Sequence, residues 1–82
     1  MHLYMDIHKG LDGVTAEDVA HAHERDLAVQ DKHGVKFHRY WFSDEGDTVF
    51  CLAEAPSKEA FEAAHREATG MVADEIFEVR EG

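Results

Sequence analysis

The sequence predicts a small α+β domain whose elements follow the order β-α-β-β-α-β. Three observations predict it: polar and apolar residues alternate near the start, two stretches carry helix caps, and three further runs favour strands. A chain of 82 residues, 44% of them apolar, is too hydrophobic for a disordered acidic tail and long enough for one core. We therefore expect residues 1–82 to form a single domain.

The first strand is predicted over about residues 3–9, where polar and apolar side chains alternate with the two-residue period of a half-buried strand. A glycine-containing segment then interrupts the pattern. A helix is predicted over about residues 15–33. Thr15 and Asp18 form a short capping box at its start, and Gly34 is placed to end it.

A hairpin of two strands is predicted next, over about residues 35–42 and 48–55. The segment that joins them, Ser43 to Asp47, is rich in residues that favour turns. Pro56 then ends the second strand of the pair, because proline cannot donate a backbone hydrogen bond.

A second helix is predicted from a cap at Ser57 to about residue 69, with Gly70 as its stop signal. Its apolar stripe consists of Ala60, Phe61, Ala64 and Ala68. A last strand covers about residues 75–80. This order is that of the ferredoxin-like split β-α-β-β-α-β sandwich, in which both helices pack on one face of an antiparallel sheet.

The other face of this sheet is predicted to carry no helix. The residues expected there are Tyr4, Asp6 and His8 from the first strand and Phe50, Leu52 and Glu54 from the third. A half-apolar face of this kind favours a covering partner, and a second copy of the chain is the simplest one. The sequence therefore predicts a homodimer.

The charge balance limits the classes of partner. Eight basic residues against 18 acidic ones give a formal net charge of −10. Nucleic acids and anionic membrane surfaces are disfavoured as partners, because their phosphates repel such a chain, whereas divalent cations are attracted.

The expected location is the cytoplasm. The longest apolar run, Val49 to Ala53, is far shorter than the roughly 20 residues needed to cross a bilayer. The start of the chain has neither the basic nor the apolar region of an export signal. The single Cys51 excludes an internal disulfide, and its apolar neighbours predict an inert core residue.

Seven histidines are an unusual number for so short a chain, and one of them lies in a promising pattern. On the outer surface of the first helix, His21 follows Glu17 by one turn and precedes Glu24 by three residues. An imidazole and two carboxylates at this spacing can converge on one metal ion. An ordinary solvated charged face explains the same residues equally well.

The second helix repeats the pattern in a weaker form, with Glu62 and His65 three residues apart. Packing of His65 against Phe61 is the simpler alternative for this pair. His38, near the entry into the second strand, completes the set of candidate metal ligands. His23 is expected to face the core, where it would bond a polar neighbour on its own helix.

Common enzyme signatures are absent from the sequence. It contains no glycine-rich phosphate loop, no Cys-x-x-Cys pair, no His-Glu-x-x-His motif and no serine elbow, so we predict a binding protein rather than an enzyme. The alternative is a small cofactor-free dimeric α+β barrel enzyme, or a small-molecule-binding protein, with its cavity between the sheets. Tyr4, Asp6, His8, Tyr40 and Glu54 would line that cavity, with Asp6 or Glu54 as general base.

Two segments carry a family resemblance: Cys51 to Pro56 after the hairpin, and Ile76 to Val79 in the last strand. They resemble the small actinobacterial ferredoxin-like family of nickel-binding proteins. Tyr4 to Asp6, Arg39 to Trp41 and Ala64 to Glu67 extend the likeness over nearly the whole chain. The resemblance implies a ferredoxin-like homodimer that binds Ni²⁺ at histidine and carboxylate sites, for sequestration or detoxification. Nickel(II) accepts imidazole and carboxylate ligands together, which agrees with the candidate sites.

Overall fold

The computed structural model describes residues 2–43 and 47–82. Its elements are β1 (His2–His8), α1 (Ala16–His33), β2 (Lys36–Phe42), β3 (Val49–Ala55), α2 (Lys58–Thr69) and β4 (Glu75–Val79). This order confirms the predicted ferredoxin-like α+β fold, and each predicted element is present with ends that differ by about one residue. Part of the predicted turn, residues 44–46, lies outside the described residues. In the described part of the chain, neither helix is long and apolar enough to cross a membrane.

The four strands form one antiparallel sheet in the order β2-β3-β1-β4. At its centre β1 pairs with β3, so that Asp6 lies opposite Cys51 and His8 opposite Val49. Side chains of directly opposed residues point to the same face of a sheet. The register of these two central strands therefore decides which side chains face the helices.

The helix ends follow the signals in the sequence. The backbone N–H of Thr15 donates to Oδ2 of Asp18 over 3.0 Å, and the N–H of Asp18 donates to Oγ1 of Thr15 over 3.1 Å, which completes the predicted capping box of α1. Gly34 ends α1 in the left-handed conformation, with φ of 68°. Ser57 caps α2 by accepting a hydrogen bond from the N–H of Ala60.

The core lies between the sheet and the two helices. Phe61 and Ala64 of α2 are fully buried there, and Val19 is the corresponding apolar residue of α1. From the sheet, the core receives Tyr4, Phe37, Val49, Cys51, Ala53 and Ala55, and Val35 adds to it just before β2. Many of these side chains are small, so a modest apolar core is combined with several buried polar groups.

The predicted orientation of β1 is wrong. Tyr4, Asp6 and His8 are buried on the helix-covered face, and Leu3, Met5 and Ile7 take the opposite face. The cause is visible in the register, because Asp6 lies opposite Cys51, which belongs to the core. The side chain of Asp6 has 0% exposure and is tolerated there because imidazoles surround it.

The helix-free face of the sheet is strongly apolar, and for β3 the prediction is confirmed. We call it the open sheet face; its apolar residues include Leu3, Met5, Ile7, Trp41, Phe50, Leu52 and Phe77, and Glu54 also lies on it. Trp41 is 46% exposed and Phe77 is 48% exposed in the single chain. Large aromatic side chains this exposed on one continuous face are typical of a surface that meets another protein. The homodimer remains a prediction.

On a helical wheel, Ala16, Ala20, His23 and Leu27 cluster on one side of α1, which predicts that this side faces the core, and the observed inward face differs. Leu27 is 42% exposed and Ala16 is exposed, whereas Val19 and Asp26 are buried. Asp26 points inward because it accepts a hydrogen bond from His65 of α2. A buried charge that finds a strong partner thus sets the rotation of the helix, which simple hydrophobic periodicity does not foresee.

Candidate metal centre

Four potential metal ligands meet in the core: Asp6 and His8 from β1, Cys51 from β3 and His65 from α2. One donor atom from each lies within 4.8 Å of the others, and all four residues are buried. Within residues 2–43 and 47–82, this is the only group of three or more such side chains that converges in this way. We call these four residues the buried cluster.

Local structure explains how the buried cluster is assembled. Asp6 and His8 are two residues apart on one strand, so their side chains lie on the same face. Cys51 lies directly opposite Asp6 on the neighbouring strand and therefore shares that face. The helix α2 packs over this part of the sheet and supplies His65 from above.

Both imidazoles converge on one carboxylate oxygen. Nε2 of His65 lies 2.8 Å from Oδ2 of Asp6, and Nε2 of His8 lies 3.1 Å from the same oxygen. The other ring nitrogen of His65, Nδ1, donates a hydrogen bond of 2.9 Å to Oδ1 of Asp26 on α1. This last contact fixes the orientation of the His65 ring, as outer partners of metal-binding histidines commonly do.

The hydrogen bonding inside the cluster is incomplete. Among the described residues, three buried atoms have no hydrogen-bond partner: Oδ1 of Asp6, Nδ1 of His8 and Nε2 of His65. Nε2 of His65 is close to Asp6, but this contact does not have the direction of a hydrogen bond. Buried polar atoms normally have hydrogen-bond partners. Nitrogen and oxygen atoms that face one another without such partners are the arrangement expected of ligands around a cation.

The donor set suits a borderline divalent metal. Two imidazole nitrogens, one carboxylate oxygen and one sulfur combine ligand types that nickel, zinc and copper accept. Sulfur coordinates as the thiolate, so Cys51 would bind in its deprotonated form. The residues present therefore fit a transition-metal ion, although these ligand types do not by themselves select one metal.

Burial and mutual contacts shift the pKa values of His65, His8 and Asp6 within the buried cluster. Burial by itself lowers the pKa of His65, but the hydrogen bond to Asp26 and the adjacent carboxylate of Asp6 outweigh it and raise that pKa to about 12. Burial also lowers the pKa of His8, but the hydrogen bond to Asp6 and the charge of that carboxylate outweigh it and raise the pKa to about 9. For Asp6, burial raises the pKa, but the two imidazoles reverse this effect and hold it below its ordinary value. A metal ion must therefore displace protons from both rings.

The structure separates the two predicted partners on α2. His65 is buried in the cluster, whereas the carboxylate of Glu62 lies 3.9 Å from the guanidinium of Arg66. The predicted surface pair of Glu62 and His65 is therefore wrong. His65 faces the sheet because Asp6 and Asp26 stabilise its ring inside the core.

The remaining predicted ligands lie at the surface. Glu17, His21 and Glu24 are all exposed on α1, and they do not belong to the converging group found in the described ranges. His38 is exposed on β2, where its Nε2 lies 2.8 Å from Oε1 of Glu54. A role of these four residues in metal binding stays a prediction.

Sequence reasoning missed most of the buried cluster. The sequence predicts Asp6 and His8 in the lining of a cavity between sheets, with Asp6 or Glu54 as general base, and it predicts Cys51 as an inert core residue. The available signal was the Asp-x-His spacing, which places two ligand types on one strand face. His23 was expected to bond a polar neighbour on its own helix, but its ring packs 4.8 Å from the ring of Tyr40.

The residue assignment of the predicted barrel-type cavity is also wrong. Tyr4, Asp6 and His8 face the helices, and Tyr40 lies opposite Cys51 on that same side. Of the five residues named for that cavity, Glu54 alone points away from the helices. A cavity is present instead on the helix side of the sheet, beside the buried cluster, with a volume of about 180 Å³.

Comparison with known proteins identifies the family. The family described as "Nickel responsive protein SCO4226-like" matches residues 4–79. The crystal structure of SCO4226 from Streptomyces coelicolor A3(2) is similar, with 40% sequence identity, a TM-score of 0.89 and coverage of 98% of each chain. None of the curated proteins matches the chain. The matched range extends from the middle of β1 to the end of β4 and contains the whole buried cluster, and the chain belongs to the SCO4226-like family of nickel responsive proteins.

Proposed function

We propose that this protein binds nickel(II) at the buried cluster of Asp6, His8, Cys51 and His65, and that it serves to sequester or buffer the ion. The observation that carries the proposal is the convergence of four buried donor atoms within 4.8 Å of one another. The family description, nickel responsive, supports nickel as the ion.

The chemistry of the cluster supports reversible binding. Imidazole nitrogens suit nickel, and nickel ranks above manganese, iron and cobalt in the usual order of affinity. Protons held on His8 and His65 compete with the metal, so affinity depends on pH. Apart from Cys51, the apolar core consists of residues outside the buried cluster, so we expect the chain to fold without nickel.

The proposal includes three further features. The protein binds its ion without transforming a substrate. It forms a homodimer through the open sheet face, where exposed Trp41 and Phe77 would become covered. It acts in the cytoplasm, where a thiol such as Cys51 stays reduced and able to coordinate.

The test is titration calorimetry with nickel(II) on the wild type and on two matched histidine variants. We expect His65→Ala to lose the site in the buried cluster, and His21→Ala, on the surface of α1, to keep it. Circular dichroism checks folding, and His8→Ala serves as a second cluster variant if His65→Ala does not fold.

The results of these titrations distinguish a wrong function from a wrong location of the nickel site. A wild type that takes up no nickel at neutral pH contradicts the function itself. Loss of uptake in His21→Ala, with full uptake in His65→Ala and His8→Ala, places the site at the predicted surface group and contradicts the buried cluster.

A further inference from the structure

A second feature of the core is the cavity of about 180 Å³ between the sheet and the two helices. Its walls are mainly apolar, with Val19 and Ala22 from α1, Val49 from β3 and Met71 after α2. This volume is somewhat larger than the roughly 150 Å³ cavity that holds benzene in a well-studied engineered protein. The cavity is therefore large enough for one small ring or branched chain.

One side of this cavity is polar, because His8, Cys51 and His65 of the buried cluster also line it. The two histidines differ in the hydrogen bonding of Nδ1. Nδ1 of His65 is bonded to Asp26, whereas Nδ1 of His8 is buried and has no hydrogen-bond partner among the described residues. His8 is only 6% exposed, so bulk water does not easily meet this need.

We propose that the cavity binds a small, mainly apolar molecule with one hydroxyl group, which forms a hydrogen bond with Nδ1 of His8. Phenol is the simplest compound of this class. The apolar walls hold the ring, and the hydroxyl bonds Nδ1 of His8. Nε2 of His65, the other unpartnered nitrogen among the lining residues of the described chain, already lies 2.8 Å from Asp6.

A hydroxyl is favoured over other polar groups because it both donates and accepts hydrogen bonds. Nε2 of His8 donates to Asp6, so Nδ1 accepts a hydrogen bond in the neutral ring and donates one when the ring is charged. If a metal occupies Nε2, Nδ1 carries the hydrogen and needs an acceptor. A hydroxyl serves in each of these states, so the inference does not rest on the proposed nickel site.

The experiment follows backbone amide signals by NMR while phenol or toluene is added to metal-free protein in the presence of a chelator. The two probes have nearly the same shape, and toluene has a methyl group in place of the hydroxyl. We expect saturable shifts around Val19, Ala22 and Cys51, with phenol several-fold to about tenfold tighter than toluene, the usual effect of one buried hydrogen bond.

Two variants on α1 form a matched pair. Ala22→Leu fills part of the cavity and is expected to weaken phenol binding at least tenfold, because the ring loses its space. Ala28→Leu adds the same atoms at an exposed position that does not line the cavity, and is expected to bind phenol like the wild type. A third variant, His8→Leu, should remove the preference for phenol over toluene.

Phenol shifts that do not saturate, or that persist unchanged in Ala22→Leu, overturn the proposal. Equal affinity for phenol and toluene in the wild type overturns the role of His8, even if His8→Leu does not fold. Nickel uptake by Ala22→Leu is measured in parallel, since this variant keeps all four cluster ligands. Phenol binding can therefore fail while nickel binding persists, and the reverse result is equally visible.

Discussion

Nδ1 of His65 donates a hydrogen bond of 2.9 Å to Oδ1 of Asp26, although the two residues lie 39 positions apart in the chain. This contact joins α2 to α1 inside the core, and both side chains are almost fully buried. It also leaves Nε2 of His65 directed toward Asp6 and the rest of the buried cluster. Asp26 is therefore a positioning residue for the proposed metal site.

Replacing Asp26 by alanine tests this role. We expect Asp26→Ala to lower the nickel affinity by about ten- to 100-fold without changing the number of ions bound, because outer partners orient a ligand and do not replace it. Titration calorimetry measures both quantities. Asp31→Ala, at an exposed position of the same helix, is the control and should bind nickel normally. Equal affinity in the two variants would show that Asp26 has no positioning role.

Metal-free protein should become less stable as the pH rises above neutrality. The pKa of His8 is raised to about 9 and that of His65 to about 12, from an ordinary 6.5. The interactions that raise these values stabilise the fold fully below about pH 6.5, and they are lost as the pH rises toward the folded-state values.

Urea denaturation at pH 6.5 and pH 9 measures this loss. Each histidine changes the free energy of unfolding by at most about 1.4 kcal/mol per pH unit. His38→Ala, which alters an exposed histidine outside the cluster, should keep the same dependence. A free energy of unfolding that stays constant or rises over this range would contradict the protonated state of the buried cluster.

Nickel binding should show the opposite trend with pH. The metal needs neutral imidazoles, so it must displace protons from His8 and His65 at neutral pH, together with the thiol proton of Cys51. We expect the affinity to keep rising from pH 6.5 to 9. A site made of ordinary exposed histidines would instead level off just above neutrality.

Calorimetry in two buffers of different ionisation enthalpy counts the released protons. The buried cluster predicts release of at least two protons per nickel ion near neutral pH. Release of fewer than one proton would point to surface ligands such as His21.

The proposed dimer is tested by charged substitutions on the open sheet face. Leu52 and Phe77 lie on this face, so Leu52→Glu and Phe77→Glu should give monomers because an interface would bury the new carboxylates. Leu27→Glu is the control, since Leu27 is 42% exposed on α1. Sedimentation velocity measures the mass in each case. A monomeric wild type at micromolar concentration would contradict the proposed homodimer.

Local signals were sufficient to predict the fold. The caps at Thr15, Gly34 and Ser57 have the predicted geometry, and the alternation in the strands has the predicted period. Periodicity does not determine which face of β1 is buried, because Leu3, Met5 and Ile7 form the more apolar set and yet lie on the open sheet face. That choice depends on pairing with β3, which is a long-range contact.

The site was harder to predict for the same reason. His65 approaches Asp6 and Asp26 only in the folded chain, and no local spacing relates these three residues. Two carboxylates and two imidazoles are also not expected in a core, because such residues are seldom fully buried and burial of an unpaired polar group costs free energy. The exposed helix pattern of Glu17, His21 and Glu24 is the more visible one in the sequence, although the structure leaves these side chains at the surface.

X-ray absorption at the nickel edge, recorded on the nickel-loaded protein, tests most directly whether nickel binds at the buried cluster. The buried cluster supplies Cys51, and none of the surface groups predicted from the sequence contains sulfur. With nickel in the buried cluster, we expect one sulfur neighbour, at about the 2.3 Å typical of metal–thiolate bonds, together with imidazole nitrogens, and loss of the sulfur signal in Cys51→Ser. A nickel environment of nitrogen and oxygen alone, unchanged by Cys51→Ser, would contradict binding at this cluster.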